Sequence, residues 1–201
     1  MIEIIVFDLG GVIVNVNFNS PLGKLFDDSG AVRDSFSNKS DLLGLLRQYE
    51  TGKINALDFH ERISDHLETE LSFDEFTSAS IGAIKAGDDG INGIIETLSK
   101  QYQLAILSNT NSVHYEHIKE NYSIIGLFEH ILLSYKMGTM KPDVEAYEKL
   151  IQATSTPASQ HLFIDDRIEN IIAAKETGMD GIQYKSVKGL TAALRQKGIN
   201  I

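Results

Sequence analysis

The feature that most constrains the fold of this 201-residue chain is a set of short, unbroken apolar runs. They cover residues 2–7, 103–107, 130–133 and 162–164, and a weaker fifth run covers 181–184. Each run is too short for an amphipathic helix, and each lacks the alternation of a strand that has one face in water. We therefore predict buried strands, which are typical of a parallel sheet that is covered on both faces.

Helical patterns with recognisable ends lie between these runs, at 88–100, 111–120, 143–153 and 169–177. Strands that alternate with helices predict parallel βα units, and hence an α/β fold. We expect a Rossmann-like parallel sheet core with helices on both faces. Open sheets of this kind bind their ligands beyond the carboxyl ends of the strands.

Residues 18–85 break the alternation, because they contain helix signals and no convincing strand. Ser40 and Asn55 stand where helix N-caps are expected, and Ser72 precedes Glu75 by three residues, as in a capping box. We predict a core domain of residues 1–17 and 86–201, with residues 18–85 inserted as a helical cap. The alternative is that the inserted helices merely extend the core.

The composition limits the chemistry and the partners. Lys and Arg number 18 against 28 Asp and Glu, so the net charge of −10 disfavours a nucleic acid or an anionic membrane as partner. The chain has no cysteine, which excludes disulfides, thiolate nucleophiles and Cys-ligated metals. A metal would need oxygen or imidazole ligands, which favours a hard cation such as Mg²⁺. With neither a run long enough to cross a bilayer nor a signal-peptide pattern, we expect a soluble, cytoplasmic protein.

Polar groups stand where the predicted strands end. Asp8 follows the first run and is itself followed by two glycines, which let a turn approach a ligand closely. The others are Ser108 after the second run, Lys141 at the start of a Lys-Pro-Asp sequence, and Asp165 and Asp166 after the fourth run. Because parallel strands end at one edge of the sheet, we expect these groups to converge in a single crevice.

The same residues, in this order, resemble the four motifs of the haloacid dehalogenase (HAD) superfamily. The resemblance covers the whole chain and makes residues 18–85 a C1-type cap. The sequences Phe-Asp-Leu-Gly-x-Val-Ile-Val, Leu-Ser-Asn-Thr-Asn, Met-x-Lys-Pro and Asp-Asp-x-x-x-Asn are similar to those of one branch. That branch contains bacterial α-D-glucose-1-phosphate phosphatase and the phosphatase domain of soluble epoxide hydrolase.

The resemblance implies a Mg²⁺-dependent phosphatase that acts on a small phosphorylated metabolite, such as the sugar phosphate glucose 1-phosphate. Asp8 would be the nucleophile that forms an aspartyl-phosphate, and Lys141 would offset the charge between Asp8 and the phosphate. Phosphate would be bound by Ser108, Asn109 and Lys141, and the metal by Asp8, the carbonyl of Gly10, Asp165 and Asp166. No nucleic acid or membrane partner is implied, and oligomeric state is not predicted.

Gly10 departs from the usual pattern, because most phosphatases of the superfamily have a second Asp there as general acid and base. The loss of such a group typically lowers turnover about 10²- to 10⁴-fold, so a low-turnover binding or regulatory protein is an alternative. The resembled branch also has Gly at this position, which favours an active enzyme. A 2-haloacid dehalogenase is a third hypothesis, but the pair Asp165-Asp166 argues against it.

Several other polar residues have ordinary interpretations that we favour. His114 could replace the missing acid, but a histidine that packs in a helix is the commoner case. The acidic pairs Asp27-Asp28 and Asp88-Asp89 are typical of turns and helix starts. A structural salt bridge is the favoured role of Arg167. The remaining candidates lie on predicted cap helices and are assigned to solvated faces or to the cap interior: Asp41, Asp58, His60, Glu61, Phe73 and Phe76.

Overall fold

A parallel β-sheet forms the centre of the fold. The computed structural model describes residues 1–17, 39–67 and 70–201. Its strands are β1 (Ile4–Phe7), β2 (Val14–Val16), β3 (Ile84–Ala86), β4 (Gln103–Ser108), β5 (His130–Leu133), β6 (His161–Asp165) and β7 (Asp180–Gln183). Five of them pair in the order β5-β4-β1-β6-β7, and every pair is parallel. The predicted parallel sheet is confirmed, and the weak fifth run is its edge strand β7.

The described residues contain α-helices in addition to these strands. They are α1 (Lys39–Glu50), α2 (Ala56–Leu67), α3 (Phe73–Gly82), α4 (Ile91–Leu98), α5 (Ser112–Asn121), α6 (Ser134–Met137), α7 (Val144–Thr154), α8 (Ile168–Glu176) and α9 (Val187–Gln196). Helices α4, α5 and α9 pack on one face, and α7 and α8 pack on the other. The α/β fold with helices on both faces is thus confirmed.

Burial on both faces explains why the strands read as unbroken apolar runs. In β1, Ile5 and Phe7 belong to the core on the side of α4, whereas Ile4 and Val6 belong to the core on the side of α7. All four side chains are fully buried. A strand with no face in water has no position where a polar side chain is favoured.

Helices α1, α2 and α3 have a hydrophobic cluster of their own. Its fully buried members include Leu42, Phe59 and Ile63. Phe73 and Phe76 also pack in this cluster, as expected for residues of an interior shared between helices. The capping box at the start of α3 is formed, because Ser72 and Glu75 exchange hydrogen bonds as predicted. The division into residues 1–17 and 86–201 on one side and 18–85 on the other stays a prediction.

One short strand was not expected within residues 18–85. Ile84 and Lys85 lie in β3, which pairs antiparallel with β2 in a separate two-stranded sheet, so the chain returns beside β2. Main-chain pairing forms this ribbon, and a three-residue strand carries no recognisable side-chain pattern. The acidic pair at Asp27-Asp28 lies outside the described residues. Among the residues that are described, no helix combines the length and the apolar character needed to cross a bilayer.

Candidate active site

A buried lysine joins two strand ends at the carboxyl edge of the sheet. Asp8 directly follows β1, Asp165 ends β6, and Lys141 lies on the loop between α6 and α7. The Nζ atom of Lys141 is 2.9 Å from Oδ1 of Asp8 and 2.6 Å from Oδ2 of Asp165. All three residues are buried. The predicted convergence of these groups is therefore present, with the ammonium between the two carboxylates.

The backbone of Lys141 is held by Asn109 at the end of β4. The side chain of Asn109 accepts a hydrogen bond from the Lys141 N–H at 2.8 Å and donates one to the Lys141 carbonyl at 2.7 Å. The Nζ atom also lies 5.2 Å from the ring centre of Phe163. Although burial lowers the pKa of Lys141, the neighbouring Asp165 and Asp8 outweigh it and raise that pKa above its ordinary value. Lys141 is consequently a fixed positive charge at neutral pH.

Asp165 is enclosed by hydrogen-bond donors. Its Oδ1 accepts from the backbone N–H of Arg167 at 2.8 Å, and Asn170 donates to Oδ1 and Oδ2 at 3.1 and 3.0 Å. With Lys141 also on Oδ2, Asp165 is the structural counterion of the lysine. Asn170 is in turn held at its carbonyl by the Tyr147 hydroxyl, at 2.9 Å. Asn170 was not among the predicted site residues, although the Asp-Asp-x-x-x-Asn spacing was the available signal.

Three carboxylates form a cluster that is suited to a cation. Asp8, Asp165 and Asp166 each offer an oxygen within 4.8 Å of the others. Burial raises the pKa of Asp8 to about 7, opposed by Lys141 and assisted by Asp165 and Asp166. Burial, followed by the charge of Asp165, also raises the pKa of Asp166. One ammonium does not balance three carboxylates, so the residues present fit a divalent cation with oxygen ligands.

Of the two glycines that follow Asp8 in the sequence motif, one is required by the structure and the other is not. Gly11 has a φ of +77°, and a Cβ there would lie 2.6 Å from Oδ2 of Asp166, so this close approach needs glycine. Gly10 has no such φ, and a Cβ there would meet only Cγ2 of Val16, at an ordinary 3.6 Å. Position 10 therefore has room for a side chain, and neither backbone conformation nor packing requires its glycine.

In residues 108–111, which we call the 108–111 loop, each residue after the strand is held by hydrogen bonds. Ser108 is buried at the end of β4. Thr110 donates its N–H to Oγ of Ser134 and accepts from that hydroxyl at its carbonyl, both at 2.9 Å. Asn111 caps α5. Since the Asn109 side chain and the Thr110 N–H are both engaged, the loop can offer an anion the Ser108 hydroxyl and the backbone N–H of Asn109.

A family model for haloacid dehalogenase-like hydrolases matches residues 2–178. The chain belongs to this family. A D-ribitol-5-phosphate phosphatase from Bacteroides thetaiotaomicron is 30% identical over 189 residues, which are 91% of this chain and 92% of that protein. A sesquiterpene phosphatase from Aspergillus oryzae is 26% identical over 192 residues, or 95% and 94% of the two chains.

Solved structures show the same fold for this HAD-like hydrolase. A crystal structure of a HAD family enzyme from Bacteroides thetaiotaomicron, in complex with magnesium and inorganic phosphate, superposes with a TM-score of 0.82. The alignment covers 97% of this chain and all of that one, at 23% identity. The parallel sheet and its helices are therefore those of the family.

In this HAD-like hydrolase, His114 is a packed histidine and not a solvent-linked acid. It is buried in the first turn of α5, and its ring contacts Asn111 and the backbone of Ser80 on α3. Burial lowers its pKa to about 4, so at neutral pH the ring is neutral and is not the imidazolium that a general acid requires.

The other candidates also have structural partners. Arg167 bonds to Glu169 through its guanidinium, which agrees with the favoured salt bridge. Asp88 accepts a hydrogen bond from the Tyr184 hydroxyl just before α4. His60 bonds to the Leu71 carbonyl and packs against aromatic rings of the α3 helix. Asp41 and Glu61 are exposed, and Asp58 is half-buried.

The buried His114 makes stability depend on pH. In the unfolded chain its pKa is near 6.5, whereas in the folded protein it is about 4, so acid protonates the unfolded chain first. The contribution of His114 to stability is therefore fully present above pH 6.5 and is lost as the pH falls toward 4, by up to about 1.4 kcal/mol per pH unit. In urea unfolding between pH 7 and 4.5, the free energy of unfolding of His114→Gln should fall less steeply with decreasing pH than that of the wild type.

The control is His117→Gln, which removes a less buried histidine from the same helix. Its free energy of unfolding should fall with decreasing pH as steeply as that of the wild type. An equal slope for His114→Gln and the wild type would contradict the assignment of this acid sensitivity to His114.

Proposed function

We propose that this HAD-like hydrolase is a Mg²⁺-dependent phosphatase that hydrolyses a phosphoric monoester of a sugar or sugar alcohol, such as glucose 1-phosphate. The observation that carries the proposal is the buried contact of Lys141 with both Asp8 and Asp165. It keeps a carboxylate nucleophile beside a fixed positive charge. The similarity to a D-ribitol-5-phosphate phosphatase supports the substrate class.

Asp8 is the nucleophile of the proposed reaction. One of its carboxylate oxygens attacks phosphorus, and the bond from phosphorus to the leaving alcohol oxygen breaks as the aspartyl-phosphate forms. The leaving oxygen takes a proton from water. A second water then attacks phosphorus, which releases inorganic phosphate and restores the Asp8 carboxylate. Both steps bring anions together, so they need positive charge close to the phosphoryl oxygens.

The metal is assigned to Asp8 and Asp166, with the Gly10 carbonyl as a further ligand. Mg²⁺, when bound, offsets the negative charge of the phosphoryl group and of the carboxylates around it. Asp165 was also expected to bind the metal, but its oxygens accept from Lys141, Asn170 and the Arg167 backbone. We assign it instead to the orientation of Lys141.

The phosphate is assigned to Ser108, the backbone N–H of Asn109 and the ammonium of Lys141. Asn109 thereby has two roles, because its side chain sets the backbone of Lys141 while its N–H faces the anion. Such a site is preorganised, since its donors are fixed before the substrate arrives. Preorganisation favours phosphoryl transfer, in which positioning and charge stabilisation provide most of the catalysis.

Phosphate-release assays test the proposed nucleophile. With Mg²⁺, the wild type should release phosphate from p-nitrophenyl phosphate and from members of a sugar and sugar-alcohol phosphate panel, and EDTA should abolish the release. Asp8→Asn should lower kcat by at least about 10³-fold, because the amide cannot attack phosphorus. Asp89→Asn, which changes an exposed aspartate at the start of α4, is the matched control and should keep wild-type rates. A wild type that hydrolyses none of these substrates would refute the proposal.

Substitutions at position 10 distinguish an active phosphatase from a low-turnover binding protein, the alternative suggested by Gly10. Position 10 has space for a Cβ, so an aspartate can be tested there, and Gly10 is only half-buried, so water can carry the proton to the leaving group. We expect the phosphatase rates of Gly10→Asp and the matched Gly10→Asn to differ by less than tenfold. A gain of about 10²- to 10⁴-fold in Gly10→Asp alone would support the alternative, because proton delivery would then be limiting.

A further inference from the structure

Tyr49, near the end of α1, contacts the residue that closes the 108–111 loop. Its hydroxyl donates to Oδ1 of Asn111 at 3.1 Å, and both residues are almost completely buried. The Ser112 side chain and the Val113 backbone are also within hydrogen-bonding reach of that hydroxyl. The Tyr49 hydroxyl is therefore seated at the junction between the loop and α5.

Asn111 connects Tyr49 both to α5 and to the 108–111 loop. Its Oδ1 also accepts from the His114 N–H at 3.0 Å, so the same oxygen caps α5 and binds Tyr49. In the other direction Asn111 lies three residues after Ser108, and the intervening Thr110 is clamped by Ser134. Asn111 is therefore the last of three consecutive held residues after Ser108, and its contact with Tyr49 is the support that the loop receives from α1.

The other side of Tyr49 belongs to the hydrophobic cluster of α1, α2 and α3. Its ring stacks on Phe59 with a centroid separation of 4.4 Å and an interplanar angle of 11°. Tyr49 is thus anchored in that cluster by its ring and in the 108–111 loop by its hydroxyl. One side chain links the inserted helices to the proposed phosphate site.

A second contact between α1 and the site loops carries less weight. Arg47 pairs with Asp143, two residues after Lys141, but the side chains are 53% and 39% exposed. Exposed ion pairs contribute little, because water and salt screen them. A buried hydrogen bond is different, since the loss of its donor leaves a polar atom without a partner away from water.

We propose that Tyr49 is a positioning residue for the phosphatase reaction, and this inference rests on the proposed function. Through Asn111 it holds the 108–111 loop in the geometry in which Ser108 and the Asn109 N–H meet the transferred phosphoryl group. Phosphoryl transfer is sensitive to such alignment, because small displacements of binding groups lower the rate more than they weaken binding.

The kinetic test uses a double-mutant cycle in the full-length enzyme. Tyr49→Phe keeps the ring but removes the hydroxyl, and Asn111→Ser keeps an N-cap but is too short to reach Tyr49. Each variant should lower kcat about three- to tenfold with a smaller change in KM. The double variant should be no slower than the slower single variant, because both remove the same link. Arg47→Gln is the control on the same helix and should remain within twofold of the wild type.

Hydrogen exchange tests the link without reference to activity. In Tyr49→Phe the amides of residues 109–115 should exchange faster than in the wild type, while Tm changes by only a few degrees. Unchanged kcat and exchange would overturn the inference, and so would a lower Tm with unchanged kinetics. If the wild type has no phosphatase activity the proposed function fails, whereas the exchange experiment still decides whether Tyr49 holds the loop.

Discussion

The site depends on one interaction, the buried contact of the Lys141 ammonium with Asp8 and Asp165. A charge in the protein interior is tolerated only when its partners are fixed, and removal of one partner typically costs about 3 to 5 kcal/mol. The surrounding residues meet that requirement. Asn109 holds the lysine backbone and Asn170 holds Asp165, so with Asp8 four segments of the chain meet in one arrangement. The same contacts that stabilise the ammonium place Asp8 for chemistry.

Charge balance links the structure of the site to its proposed reaction. The whole chain is acidic, with a net charge of −10, and the site itself holds three carboxylates against one ammonium. In that state burial raises the pKa of Asp8 to about 7, opposed by Lys141 and assisted by the two neighbouring carboxylates, so the proposed nucleophile is not fully ionised at neutral pH. A divalent cation favours the ionised form and reduces repulsion of an anionic substrate. In the proposed reaction, the ionisation of Asp8 and the binding of phosphate therefore both depend on the charge of the bound metal.

Much of this architecture follows from local sequence patterns. Apolar runs predicted the parallel sheet, and the polar residues that follow them predicted the convergence of Asp8, Lys141 and Asp165. The support of the site was only partly predictable in this way. Ser134 holds Thr110, which lies 24 residues away in the sequence, and a lone serine carries no signal for such a partner. Asn170 lies five residues after Asp165, and the Asp-Asp-x-x-x-Asn spacing was the available signal for it. Asp165 and Asp166 are indistinguishable as neighbours in sequence, but the strand end buries one beside Lys141 and leaves the other partly exposed.

Calorimetric titration with Mg²⁺ shows directly whether the carboxylates beside Lys141 bind one divalent cation at Asp8 and Asp166. The titration is best done at pH 8, above the pKa of about 7 for Asp8, because the ligands must be ionised. The wild type should bind one Mg²⁺, and Asp166→Asn should bind it at least about tenfold more weakly, while the exposed-site control Asp89→Asn should match the wild type. An absence of binding by the wild type, or equal affinity in Asp166→Asn, would show that Asp8 and Asp166 do not form a magnesium site.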